Sequence, residues 1–171
     1  MGVRRQLARK RASVTVRTLT AEDIDDVIRI DARVTGDMKP EYWRRKLALY
    51  LSQQDIEAIT ASHYFSGIDP QLARVAEING RVVGFIIGEI RSWEFGQPPT
   101  GWITALTVDR DVQRQGIGRR LLAEVLDYFR ERGITTVRTM VEWSDGRMLS
   151  FFTAMGFDRG PFIELEKRIG V

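Results

Sequence analysis

The chain has 171 residues, of which 43% are hydrophobic and 29% charged, and this balance suits a single soluble globular domain with a sizeable core. It contains no cysteine and one histidine, His63, so disulfides, thiolate or multi-histidine metal sites and a catalytic cysteine are excluded. We therefore expect no metal. The absence of cysteine fits a reducing compartment, so we expect a cytoplasmic protein. Since no apolar run is long enough to span a membrane, we also expect that it does not act at a membrane.

The net charge of +3 is unevenly distributed along the chain. The first twelve residues contain five basic side chains and no acidic one, and subtracting these five charges from +3 leaves −2 for the rest. We therefore predict a basic, flexible N-terminal arm over residues 1–12 and a nearly neutral domain over residues 13–171. The arm lacks the apolar stretch of a secretory signal, while organelle targeting remains an alternative. The neutral body disfavours a nucleic-acid partner.

The first third of the chain predicts a strand followed by two helices. Residues 14–17 are β-prone, and Thr20 with Asp23 forms a capping box at the start of a helix. Pro40 suits the first turn of the second helix. That helix carries Tyr42, Trp43 and Tyr50, whose helical spacing favours packing in the core over a role in a substrate pocket. Residues 63–70 are predicted to form a loop or turn.

Three strands are predicted next, over residues 72–78, 81–90 and 101–108. Asn79-Gly80 separates the first two and is the strongest short-range signal for a hairpin. The loop over residues 91–100 is rich in glycine and proline. Its aromatic residues Trp93 and Phe95 are open to a role in substrate binding or in a homodimer.

Helices and strands alternate in the last third of the chain. A helix is predicted over residues 116–132, with Gly133 as its C-terminal cap. The remaining predicted elements are a strand over residues 135–142, a helix from Ser144 or Asp145 to Met155, and a final strand over Phe162–Lys167. A helical crossover joins parallel strands and a tight turn joins antiparallel ones. The order therefore predicts an α/β fold of mixed α+β type, with a mixed sheet and helices on both faces.

The turn over residues 113–118, Gln-Arg-Gln-Gly-Ile-Gly, lies between a predicted strand and a predicted helix. The first N–H groups of a helix have no intrahelical partners, and the helix dipole adds partial positive charge there. Gly116 and Gly118 allow a ligand to approach the backbone closely, and Arg114, Arg119 and Arg120 add full charges. We interpret this turn as a phosphate-binding site. The alternative is that its glycines only allow the backbone to make the turn.

Two familiar phosphate loops do not fit this turn. The Walker loop ends in Gly-Lys-Ser or Gly-Lys-Thr, whereas Arg119-Arg120 follows Gly118. The dinucleotide fingerprint requires a third glycine where this chain has Leu121.

The turn resembles the acyl-CoA pyrophosphate loop of the GNAT superfamily, the GCN-related N-acetyltransferases. The likeness extends over about residues 14 to 168, with the turn as its most specific part. Three further segments carry it: Ala105–Val108 before the turn, Arg81–Gly88 in the hairpin, and Leu149–Phe157 in the later helix with its Gly-Phe ending.

The resemblance implies a GNAT-like fold and direct transfer of an acetyl group from acetyl-CoA, as co-substrate, to a primary amine. It implies that two strands splay apart around the pantetheine arm and that backbone N–H groups hold the pyrophosphate. The cofactor-binding residues implied are Leu106, Thr107, Val108, Gln113, Arg114, Gln115, Gly116, Ile117, Gly118 and Arg119, with Asp145 and Phe152 from the later helix.

Glu142 is the first candidate for the general base because it ends the strand beside the implied cleft; Glu89 and Asp31 are alternatives. Each also has a plain interpretation as a solvated acid. Asp145 is predicted as a helix cap, although many relatives place a cofactor-contacting asparagine there. Phe152 stands where many family members carry a tyrosine that acts as general acid, and a phenyl ring cannot protonate a thiolate.

Two functions remain open from the sequence. The first is N-acetylation of an amine, on either a small molecule or a protein N-terminus or lysine. The second is a non-catalytic acyl-CoA-binding or sensing module, which the phenyl ring of Phe152 favours.

Overall fold

A five-stranded mixed sheet organises the protein, for which the computed structural model describes residues 13–52, 69–92 and 96–170. The strands lie in chain order: β1 (Val14–Thr18), β2 (Ala73–Ile78), β3 (Arg81–Arg91), β4 (Thr100–Val108) and β5 (Val137–Thr139). Neighbours from β1 to β4 are antiparallel, and β4 and β5 are parallel. The predicted mixed sheet is confirmed. The predicted N-terminal arm, His63, Trp93 and Phe95 lie outside the described residues.

Helices cover both faces of this sheet, as predicted. They are α1 (Ile24–Thr35), α2 (Pro40–Leu51), α3 (Ile117–Glu131) and α4 (Gly146–Ala154). Apolar residues of α1 and α2 pack against one face around Phe85 and Ile87, whereas α3 and Phe152 of α4 pack against the other around Ile86. Each face of the sheet therefore has its own hydrophobic core.

The β2–β3 hairpin forms where Asn79-Gly80 predicts it. Both residues have positive φ angles, 51° and 78°, and Ile78 pairs directly with Arg81. A two-residue turn with this backbone twist matches the twist of the flanking strands. The hairpin thus fixes the register that brings β3 beside β4.

Three glycines in β3 and β4 let α3 pack closely on the sheet. A Cβ added at Gly101 would lie 2.8 Å from the ring of Phe129, and one at Gly88 would lie 3.3 Å from the same ring. One at Gly84 would lie 3.0 Å from the carbonyl oxygen of Thr107 in β4 and 3.4 Å from the side chain of Leu121 in α3. Larger side chains at these positions would push α3, which begins at the glycine turn, away from the sheet.

Two strand predictions near the C-terminus need correction. The strand predicted over Phe162–Lys167 is wrong, because no strand forms within the described residues 158–170 and Leu165 is 85% exposed. Alternating apolar residues are insufficient without a neighbouring strand to pair with. The strand predicted over residues 135–142 is only Val137–Thr139, because the chain leaves β4 beyond the pair Ile103–Thr139.

Among the described residues, none of the helices combines the length and the apolar character needed to cross a membrane.

Candidate active site

A gap opens where β4 and β5 part. The three ladder pairs between these strands end at Ile103 and Thr139, whereas β4 continues to Val108. The second half of β4 is paired with β3 on one side, and Leu106, Thr107 and Val108 line a cavity of about 920 Å³. Because β5 does not continue alongside, backbone groups on this edge of β4 face the cavity. A strand edge of this kind pairs readily with an extended ligand.

The glycine turn (Gln113–Gly118) forms the end of this cavity. Arg114 and Gly116 both have left-handed backbones, with φ angles of 61° and 83°, and α3 begins at Ile117. The side-chain amide of Gln113 donates to the carbonyl oxygen of Val108 at 2.9 Å and ties the turn to the end of β4. The local backbone geometry therefore directs the start of α3 at the cavity.

The first backbone N–H groups of α3 are available to a ligand. The first helical hydrogen bond of α3 runs from the N–H of Arg120 to the carbonyl oxygen of Gly116, at 3.1 Å. The helix itself therefore gives no partners to the N–H groups of Ile117, Gly118 and Arg119, and its dipole is positive there. Ile117 is buried and anchors this turn, while Gly118 and Arg119 line the cavity.

The charge around the cavity is mostly positive. Arg114, Arg119 and Arg147 line it, and among the lining residues that the structure describes Asp145 is the one acid. The Asp145 carboxylate accepts the N–H groups of Arg147 and Met148 at 3.2 and 3.0 Å and so caps α4, as predicted. A site with three guanidinium groups, and with its one acid engaged in a helix cap, suits a polyanion.

The wall opposite β4 comes from α4, whose lining residues other than Asp145 were missed by the sequence analysis. Arg147, Ser150, Phe151 and Ala154 follow helical spacing along one face of α4 and line the cavity. The ring of Phe151 lies 3.5 Å from the position of a Cβ added at Gly118, so α4 approaches the start of α3 closely. Helical periodicity counted from Asp145 could have identified this face.

Most residues of the predicted cofactor site line the cavity together. These are Leu106, Thr107, Val108, Gln113, Arg114, Gly116, Ile117, Gly118, Arg119 and Asp145. Gln115 is exposed and Phe152 is buried, and neither lines the cavity. The Phe152 ring packs in the core with its centroid 5.1 Å from that of Phe157, so its neighbour Phe151 provides the aromatic surface of the cavity.

The three candidate bases lie in different settings, and none lines the cavity. Glu142 is exposed just beyond β5, where it accepts the hydroxyl of Ser144 at 2.7 Å. Asp31 is buried in α1 and accepts the indole N–H of Trp43 at 2.8 Å, which links α1 to α2. Glu89 accepts the Nε–H of Arg91 at 2.5 Å.

A polar cluster lies on the α2 side of the sheet, where the gap between β4 and β5 begins. Thr104 sits at a bulge in β4 and its hydroxyl donates to the carbonyl oxygen of Ile87 at 3.3 Å. The hydroxyl of Tyr50 donates to the carbonyl oxygen of Gly88 at 2.9 Å. Burial, followed by the nearby charge of Glu89, raises the pKa of Tyr50, so this phenol stays protonated at neutral pH.

The aromatic residues of α2 differ in exposure. Trp43 and Tyr50 are buried, which confirms their predicted place in the core, but the same prediction is wrong for Tyr42, which is 51% exposed. Its ring packs edge-on against Trp43 with centroids 5.0 Å apart. Trp143, which follows Glu142, is 83% exposed.

Comparison with known proteins identifies the family. The family model of the acetyltransferase (GNAT) family matches residues 37–157, and the chain belongs to this family. Mycothiol acetyltransferase of Amycolatopsis mediterranei is 30% identical over 153 residues, which cover 87% of this chain and 48% of the relative. L-2,4-diaminobutyric acid acetyltransferase of Nocardia farcinica is 30% identical over 91 residues, or 53% of this chain and 46% of the relative. The chain thus spans about half the length of these curated relatives.

Solved structures show the same fold. An aminoglycoside N-acetyltransferase in complex with CoA matches with a TM-score of 0.73 and 13% identity, over 95% of this chain and 99% of that chain. Ard1 from Thermoplasma volcanium matches with a TM-score of 0.66 and 24% identity, over 85% of this chain and 82% of that chain.

Proposed function

We propose that the protein transfers an acetyl group from acetyl-CoA to a primary amine. The observation that carries this proposal is the glycine turn, which closes one end of a cationic cavity beside the open edge of β4 in a member of the GNAT family. The pyrophosphate of acetyl-CoA binds at the N–H groups of Ile117, Gly118 and Arg119. The positive end of the α3 dipole and the guanidinium charges both attract it there. The cofactor-binding residues predicted from the sequence are part of this proposal.

The pantetheine arm binds along β4. Its amide groups are spaced like those of an extended peptide and pair with the backbone of Leu106, Thr107 and Val108 as an added strand. This places the thioester toward the bulge at Thr104. The ring of Phe151 covers the arm from the α4 side.

The chemical step needs little covalent help from the protein. The amine nitrogen forms a bond to the acetyl carbonyl carbon, the carbon–sulfur bond breaks, and CoA leaves as the thiolate. A general base takes the proton that the ammonium group must lose before attack, and the second proton passes from the nitrogen to solvent water as the amide forms. The protein orients the two reactants, which supplies a large part of the rate enhancement.

Glu142 is the general base in this proposal, and its place just beyond β5 supports the assignment. Its exposed carboxylate accepts the Ser144 hydroxyl at Oε1, and in this proposal its other oxygen reaches an incoming amine, either directly or through one water molecule. The Glu142→Gln variant is expected to lower kcat by about 10²-fold, since general-base catalysis contributes roughly this much, and to leave the Kd of acetyl-CoA unchanged. A kcat for Glu142→Gln equal to that of wild type would show that Glu142 is not the general base.

The acceptor in this proposal is a small-molecule amine. The names of the curated relatives support this choice, since mycothiol and diaminobutyric acid are small molecules. Acetylation of a protein N-terminus or lysine is the alternative. A homodimer and a cytoplasmic location stay predictions.

A non-catalytic acyl-CoA-binding module is the second candidate. Phe152 supports it, because this ring cannot protonate a leaving thiolate and lies in the core. In the enzyme, CoA leaves unprotonated or takes a proton from water.

A thiol-release assay with acetyl-CoA separates the two candidates. The acceptors are 2,4-diaminobutyrate, an aminoglycoside and a short peptide with a free N-terminus, with a no-amine control for thioester hydrolysis. Amine-dependent release of free CoA is the result expected of the enzyme. Binding of acetyl-CoA without amine-dependent release would favour the binding module.

A further inference from the structure

A buried carboxylate lies immediately before the glycine turn. Asp109 follows the last residue of β4, and its side chain is 3% exposed. Its N–H donates to the carbonyl oxygen of Val83 at 2.8 Å, and its carbonyl oxygen accepts the N–H of Val112 at 3.0 Å. Asp109 thus starts the short 3₁₀ turn, Arg110–Val112, that leads from the sheet into the glycine turn.

Two arginines of α1 hold this carboxylate. Oδ2 of Asp109 accepts guanidinium N–H groups of Arg29 at 3.1 Å and Arg33 at 2.9 Å, while Arg81 of β3 lies at 3.8 Å. Arg29 is itself oriented by Asp26 and by the carbonyl oxygen of Val82 at 3.0 Å. A buried charge needs such partners, and charge-assisted hydrogen bonds are stronger than neutral ones.

A second pair of contacts joins the same two segments near the cavity. Arg33 also donates to the carboxylate of Asp111 at 2.9 Å, and Arg110 donates to the carbonyl oxygen of Val34 at 2.9 Å. Val34 lines the cavity from the C-terminal end of α1. The arginine contacts therefore connect the wall formed by α1 to the segment that enters the glycine turn.

We propose that Asp109 is a positioning residue for the donor site: its carboxylate, held by Arg29 and Arg33, fixes the path of the chain into the glycine turn and the distance of that turn from Val34. This inference rests on the proposed binding of acetyl-CoA in the cavity. It adds α1, through residues that do not line the cavity, to the elements that set donor affinity. Loss of these contacts lets the turn move away from α1 and weakens the binding of the donor.

The test compares acetyl-CoA binding and turnover in three single variants and one double variant. Asp109→Asn removes the charge that both arginines share, and Arg33→Gln removes one of the two arginine partners at a position that is itself partly exposed. Arg44→Gln is the matched control, because Arg44 pairs with exposed Asp25 away from the cavity. Thermal unfolding of each variant reports its fold, and calorimetry gives the Kd of acetyl-CoA.

We expect Arg33→Gln to raise both the Kd and the KM for acetyl-CoA by about tenfold, with kcat at saturation nearly unchanged and Arg44→Gln equal to wild type. In the double variant Arg33→Gln/Asp109→Asn, the second change is expected to weaken binding by less than tenfold, since the contact between Arg33 and Asp109 is already lost and the contact of Arg33 with Asp111 is what remains to be removed.

Two results would overturn the inference, and they differ in whether the proposed function also fails. If wild type binds acetyl-CoA and a folded Arg33→Gln variant binds it equally well, the positioning role is wrong while the proposed function stands. If wild type does not bind acetyl-CoA, both fail. Should Asp109→Asn not fold, Arg33→Gln alone decides.

Discussion

At the scale of single residues, buried carboxylates hold segments of this protein together. Asp23 is held by a two-pronged contact from Arg17, with distances of 2.7 and 2.9 Å, and by the N–H of Thr20 at 2.8 Å. Burial on its own would raise the pKa of Asp23, but the hydrogen bonds from Arg17 and Thr20 outweigh it and lower the pKa below the ordinary 3.8. Asp23 therefore stabilises the fold as a carboxylate.

The Asp23→Asn variant tests this balance. A lowered pKa in the folded state contributes stability that is present above the unfolded pKa and is lost as the pH falls through the folded pKa. We expect the substitution to cost about 1–2 kcal/mol at pH 7, a modest loss because Arg17 is partly solvated, and much less near pH 2.

Urea unfolding at the two pH values measures the difference, with Asp25→Asn as the exposed control. An equal loss for Asp23→Asn at pH 7 and at pH 2 would contradict the role of its charge.

At the scale of elements, caps and turns could be predicted because they are local. Asn79-Gly80 and Asp145 each depend on contacts within a few residues of the chain, and the structure confirms both. The strand over Phe162–Lys167 was wrong because a strand also needs a partner, which a pattern of alternating residues does not supply. The close packing of Phe129 in α3 on Gly101 could not be predicted either, since it joins residues far apart in the sequence.

The cap of α4 is tested by comparing two substitutions at one position. Asp145→Ala removes the acceptor for two backbone N–H groups and is expected to cost about 1 kcal/mol of stability. Asp145→Asn keeps a side-chain oxygen and is expected to lose little. Chemical unfolding without ligand measures both, and equal stability of the two variants would contradict the cap.

The packing of α3 on the sheet is tested at Gly101. A Cβ there would lie 2.8 Å from the Phe129 ring, which is buried and cannot move freely. Gly101→Ala is expected to destabilise the protein by about 1–3 kcal/mol, as overpacking of a core does. In the control Gly160→Ala, nothing lies within 4 Å of the added Cβ. A melting temperature for Gly101→Ala equal to that control would show that α3 adjusts without strain.

At the scale of the whole molecule, helices from both faces of the sheet contribute to the cavity, since Val34 of α1 and the start of α3 both line it. The sheet and the turn before α3 provide the residues that the sequence motif predicted. Val34 from α1 was missed because only the tertiary structure brings this helix to the cavity, and in α4 the sequence analysis named Asp145 and Phe152 but missed Arg147 and Phe151. The sequence thus predicts where the proposed donor binds, and the structure adds what encloses it.

Calorimetric titration of acetyl-CoA into wild type, Gly118→Ala and Gly118→Glu tests the central claim most directly. The position of the added Cβ lies 3.5 Å from Phe151, an ordinary contact, so Gly118→Ala should fold and melt close to wild type, and a thermal melt of Gly118→Glu checks its fold before binding is measured. We predict that wild type binds acetyl-CoA, that Gly118→Ala binds it more weakly because its Cβ blocks close approach to the backbone, and that Gly118→Glu shows no binding because a carboxylate repels the pyrophosphate. Unchanged affinity in a folded Gly118→Glu variant would contradict the assignment of this turn.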